Sequence, residues 1–167
     1  MRRKEREVTD TGDISAVLEE AQVLHLGFND NGHVYVVPVN FGWEQSGDGA
    51  YTLYVHGAKA GRKYGLIAGA GGKVAVGFEL DARAKYVPSP GEDACHSTSR
   101  YASIVGEGTL SEVTDNAGRD RGMRAILRHV GHPAPGEAKF HEASLAQVAV
   151  MRLDVSELSC KINSPQE

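Results

Sequence analysis

The sequence predicts a mainly β fold with flanking helices: about six short antiparallel strands rolled into a small closed or split barrel. Three observations predict it. Twenty glycines and six prolines in 167 residues punctuate the chain too often for long helices. Runs of alternating apolar residues recur along the chain, and turn sequences join the first of them as hairpins. Only three stretches carry helical spacing, which leaves them to pack outside the sheet.

The elements follow in order. Residues 1–12, opening MRRKEREVTD, form a charged, solvated arm. Ile14, Val17, Leu18 and Ala21 fall on one helical face, with Asp13 or Thr11 as the expected cap. Residues 23–28 read as a strand. The NDNG turn at 29–32 tolerates positive φ and reverses the chain. The return strand spans 33–43, where Pro38 cannot donate to a ladder and marks an edge or a bulge. After the QSGDG turn, residues 50–56 alternate: Tyr51, Leu53 and Val55 share one face, and Thr52, Tyr54 and His56 the other. Residues 58–68 suit a helix closed by Gly69, Gly71 and Gly72. A strand at 73–80 leads into a long excursion over 81–98. Residues 99–113 form a long strand bent at Gly106 and Gly108. The strongest helix spans 114–130, with Met123, Ile126, Leu127 and Val130 on its apolar stripe, and PAPG at 133–136 ends it. The last strand is expected at 147–155. The domain proper therefore spans 13–156, and 157–167 are a polar tail.

Composition sets limits on function. Hydrophobic residues at 41% and charged residues at 24% indicate one globular domain. A net charge of −4 lacks the broad basic face of a nucleic-acid binder. No apolar run approaches the roughly 20 residues of a membrane span. The N-terminus has no apolar segment of the signal-peptide kind, so a cytoplasmic chain is expected, with Cys95 and Cys160 as free thiols.

Several motifs fail on spacing. GAGGK at 69–73 is not a phosphate loop, because Val74 follows the lysine. His141-Glu142 begins like a zinc-protease motif, but Leu145 stands where the second histidine belongs. Cys95-His96 and His129 with His132 lack further ligands, so no metal site is expected. No G-x-S-x-G elbow is present.

One stretch remains: YVHGAKAGRKYG, residues 54–65. His56 ends a strand, and Lys59, Arg62 and Lys63 follow at the start of a helix. Free N–H groups and the positive end of a helix favour phosphate there, and the cations add charge-assisted hydrogen bonds. A solvated basic turn accounts for the same residues, so the local pattern leaves both readings open.

Four segments in order resemble the FMN-binding split barrels of the pyridoxamine 5'-phosphate oxidase-like superfamily, and most narrowly the nitroimidazole-resistance (Nim) proteins. They are MRRKEREVTD, VVPVNF (36–41), YVHGAKAGRK (54–63) and RYASIVGEG (100–108); LSCK (158–161) is similar to a common Ser-Gly-Lys ending, with Cys160 in place of glycine. The resemblance implies a six-stranded split barrel and a homodimer with FMN at the subunit interface. It further implies a small-molecule substrate and an oxidoreductase that reduces a small electrophile such as a nitroaromatic. By position, Lys63 and Arg62, with Lys59 nearby, would meet the phosphate. Val39 and Asn40 would lie near the isoalloxazine ring, His56 beside it as the chemical residue. Tyr101, Ser103 and Lys161 would complete the site. A non-catalytic flavin or haem binder, or a deazaflavin-dependent reductase, would suit the same fold.

Overall fold

The computed structural model describes residues 3–164. Eight antiparallel strands form one sheet: β1 (Glu7–Val8), β2 (Leu24–Asp30), β3 (His33–Val39), β4 (Phe41–Gln45), β5 (Tyr51–Ala58), β6 (Lys73–Val87), β7 (Thr98–Glu112) and β8 (Val148–Asn163). The helices are α1 (Thr11–Glu20), α2 (Gly61–Gly69), α3 (Asn116–His129) and α4 (Glu142–Ala146). No helix among the described residues is long and apolar enough to cross a membrane.

The sheet order is β3-β2-β6-β7-β8-β5-β4, with β1 added against β8. β3 and β4 thus lie at opposite ends of the sheet, yet Asn40 alone joins them. A flat sheet of seven strands cannot place its two edges one residue apart, so the sheet must roll up. The strand expected at 33–43 is therefore two strands, which with β1 accounts for eight strands instead of six. Pro38 sits in β3, an edge strand, where its missing N–H costs no ladder bond. The NDNG hairpin forms as expected, with Asn31 and Gly32 both at positive φ.

The barrel interior is apolar. Leu26, Phe41, Leu53, Val55, Leu80, Ile104, Leu110, Met151, Leu153 and Cys160 are buried together, with Val17 and Leu18 of α1 packed among them. Asp10, not Asp13 or Thr11, caps α1. Its carboxylate accepts from Gly12 N at 2.9 Å and Asp13 N at 3.0 Å, because Asp10 alone keeps the extended backbone a cap requires.

Three other expectations change. The excursion at 81–98 is mostly hairpin: β6 runs on to Val87 and β7 begins at Thr98. A register shift between Ala82 and Lys85 accommodates Arg83 at φ 60°, and its guanidinium is held by both Glu20 oxygens at 2.7 and 2.6 Å. β8 continues through Asn163, because Leu158, Cys160 and Ile162 resume the inward alternation after a bulge near Gly108. On α3, the buried contact is Gly122, Ala125 and Ile126, while Val130 is exposed. The expected stripe is displaced because the helix docks by small residues. Gly42 of β4 lies directly beneath the backbone of Ala125 and Ile126, and Gly122 beneath the ring of Tyr54.

That close approach is testable. A Cβ at position 42 would overlap backbone atoms, which cannot move as a side-chain tip can. Gly42→Ala is expected to destabilise the protein by about 1–3 kcal/mol, lowering the thermal midpoint by several degrees. An unchanged melting curve would contradict the docking.

Candidate functional site

The barrel is split where β4 stops pairing with β5. The β4–β5 register ends at Phe41↔Val55. Beyond it, β5 continues through His56–Ala58 paired only with β8, while β3 departs to pair with β2. α2 fills the gap. Its Ile67 is fully buried, and Tyr64 and Leu66 pack on the core.

α2 and its approach carry the three cations, and the structure separates them. Arg62 reaches the β2–β3 hairpin: Nε donates to Asp30 at 2.8 Å, Nη2 lies 2.7 Å from the same oxygen, and the guanidinium stacks 4.5 Å above the Tyr35 ring. Lys59 pairs with Glu112 at 3.7 Å, and Tyr64 donates to that carboxylate at 3.2 Å. Lys63 has no carboxylate partner among the described residues. Its Nζ donates only a long bond, 3.5 Å, to the His56 carbonyl. The side chain is half-buried, and burial pushes the ammonium below its ordinary pKa.

The backbone around Lys63 is equally unfilled. Ala60, the N-cap of α2, offers no side-chain cap, so the first-turn N–H groups lack the usual acceptor. Gly61 holds φ 83° there. Gly57 leaves room for the ammonium: a Cβ would stand 3.2 Å from Nζ. A half-buried cation, an uncapped helix start and a glycine opposite are features that suit an anion.

His56 shares this corner. It lies on the outer face of β5, opposite Tyr51, Leu53 and Val55, as its alternation predicted. Its Nδ1 is buried without a hydrogen bond. Burial first, and the nearby Lys63 second, push its pKa below the ordinary value, so the ring is neutral at neutral pH. Val39 packs against the core, opposite Leu24. Asn40 is exposed, one step beyond the β4–β5 ladder and level with His56.

Tyr101, Ser103 and Lys161 lie elsewhere. Ser103 pairs with Lys161, and Tyr101 with Asn163, at the far end of β8. The Tyr101 hydroxyl accepts from Arg6 at 3.2 Å. His56 pairs with Val150 near the start of that strand. At about 3.3 Å per residue, roughly 35 Å of strand separates the two groups. One chain therefore brings together His56, Lys59, Arg62, Lys63, Val39 and Asn40, and not the other three. Gly57 and the bare cap at Ala60 were not singled out in the sequence, although a glycine and an alanine among cations were the visible signal. Among the described residues, no three His, Cys, Asp or Glu side chains are placed to hold a metal.

A family model described as pyridoxamine 5'-phosphate oxidase matches residues 10–162. No curated protein sequence matches. Among solved structures, a candidate 5-nitroimidazole antibiotic resistance protein from Bacteroides thetaiotaomicron is similar with TM-score 0.75 and 22% identity, over 93% of this chain and 86% of that one. The flavocytochrome Anf3 from Azotobacter vinelandii gives 0.77 and 20%, over 99% and 72%. A FAD and haem binding protein from Mycobacterium smegmatis gives 0.76 and 20%, over 97% and 76%. At these identities the structures share the fold.

The pairing of Lys63 with His56 predicts a coupled titration. Followed by NMR, the His56 ring is expected to titrate below the usual histidine range. Lys63→Met should move it upward, because removing a neighbouring positive charge makes protonation easier. A His56 titration that ignores the substitution would contradict the arrangement.

Proposed function

The chain belongs to the pyridoxamine 5'-phosphate oxidase family, and on that premise we propose that it binds FMN as a homodimer and reduces a small electrophile such as a nitroaromatic. The observation that carries this reading is Lys63: a half-buried cation without a carboxylate, beside the uncapped start of α2. Burying a cation unpaired is unfavourable, so the position is explained by an anion that arrives with the ligand. A flavin phosphate fits that demand.

Bound FMN would supply the redox step, passing electrons from a donor to the acceptor. The protein's own residues would do the rest. Lys63 and the α2 N–H groups hold the phosphate. Arg62 and Lys59, already paired with Asp30 and Glu112, add positive field without being consumed. Neutral His56 orients the acceptor or passes a proton. Asn40, level with His56, offers amide hydrogen bonds on the same side.

Two observations support a second copy. Tyr101, Ser103 and Lys161 cannot join Lys63 within one chain, and a two-fold partner would present them from the other side. On the outer face of β3, β2, β6 and β7, three exposed valines, Val34 (84% exposed), Val36 (56%) and Val105 (54%), stand around paired Gly27 and Gly77, beside the His25–Glu79 pair and Glu107.

A haem reading uses the same corner. His56 is neutral with an unbonded ring nitrogen, the state an axial ligand needs. A visible spectrum of the purified protein separates the two. Flavin absorbance that persists in His56→Ala supports FMN, and a haem Soret band lost in His56→Ala supports haem.

Lys63→Met provides the quantitative test. Losing a charge-assisted contact should weaken FMN binding about tenfold or more, read by flavin fluorescence. The thermal midpoint of the ligand-free protein should stay level or rise, since an unpaired buried cation is removed. Unchanged FMN affinity would overturn the assignment.

A further inference from the structure

A second site lies on the other side of Asn40. A cleft of about 490 Å³ opens between the C-terminal ends of α1 and α3, lined by Glu19, Glu20, Gln22, Asn40, His129 and Gly131 among others. Both helices point their negative ends into it. The last turn of α1 carries Glu19 and Glu20 and no basic residue. Glu20 is neutralised by Arg83. Arg128, at the end of α3, is turned to the Trp43 carbonyl. Glu19 pairs with no Lys or Arg among the described residues; its carboxylate accepts only from the Trp43 indole at 3.1 Å.

His129 supplies the independent observation. Its side chain is only 4% exposed and packs tilted against Phe41 with centroids 4.2 Å apart. Nε2 lies 2.7 Å from the Ala21 carbonyl. A carbonyl cannot donate, so Nε2 carries a proton, and in that tautomer Nδ1 is the ring atom that can accept. That Nδ1 is buried and has no hydrogen-bond partner. It faces Glu19 at 4.0 Å, too far for a bond between them.

We infer that this cleft binds a primary ammonium group, held between the Glu19 carboxylate and Nδ1 of His129. Two N–H bonds of one tetrahedral nitrogen reach acceptors about 4.6 Å apart when each bond is ~2.8 Å. The observed gap is close to that, and a small turn of the exposed Glu19 side chain opens it. The wall is rich in acceptors and its field negative, so the ligand must bring both positive charge and N–H donors. Asn40 touches this cleft and also stands level with His56, which would place an amine-bearing ligand beside the split. The site itself does not depend on the flavin reading.

The test uses calorimetric titration of the full-length protein with n-butylammonium, n-butanol and tetramethylammonium, without any flavin signal. Saturable binding of n-butylammonium alone is expected, with the ¹⁵N resonance of His129 Nδ1 moving and Nε2 staying. Glu19→Gln, at a surface position, should weaken it roughly tenfold. Equal binding of n-butanol would reduce the site to an apolar or water-filled cleft, and equal binding of tetramethylammonium to a bare field; either overturns the inference. So does the absence of any saturable binding.

Discussion

A single residue, Asn40, connects strands that stand at opposite ends of the sheet. Much else follows from that constraint. The sheet has to roll until β3 and β4 meet, which encloses the core of Leu26, Leu53, Leu80, Ile104 and Leu153. The chain cannot pair with β2 and β5 at once as it crosses, so the ladder fails at His56 and the barrel is left split. α2 closes the gap with Ile67 inside. Its first turn, and whatever charge it carries, is thereby held against the unpaired end of β5.

Charge then distinguishes positions that look alike in the sequence. Lys59, Arg62 and Lys63 lie within five residues. Arg62 is drawn to Asp30 and Tyr35 on one wall of the split, and Lys59 to Glu112 on the other. Lys63 lies between them, against a backbone carbonyl and a glycine. Burial, and after it the charge of Lys63, pushes the His56 pKa down. An anion that satisfies Lys63 would therefore relieve His56 as well.

Much of the fold was legible because its signals are local. The NDNG turn, the edge position of Pro38 and the alternation that turned His56 outward depend on neighbours in the chain. What was missed depends on distant contacts or on a change of phase. Ser156 beside the β8 bulge shifts the alternation by one, hiding the strand that carries Cys160 and Lys161. The Pro- and Ser-rich segment near residue 90 masked two strands that continue on either side of it. The buried face of α3 was misread because Gly42, more than seventy residues away, decides which side can approach. The candidate site shows the same divide. The cations were visible, but their partners Asp30 and Glu112 lie about thirty and fifty residues away, so the sequence could not say which cation is free.

The proposed flavin site is anchored at Lys63 and completed by Lys161 of a second copy. Subunit complementation tests it most directly. Lys63→Met and Lys161→Met proteins, each weakened in FMN binding, are unfolded, mixed in equal amounts and refolded together. In a two-fold dimer, half the products are hybrids, and each hybrid holds one site with both lysines intact. The account predicts that about a quarter of the sites recover wild-type affinity. A mixture that binds no better than its two components would contradict a shared site.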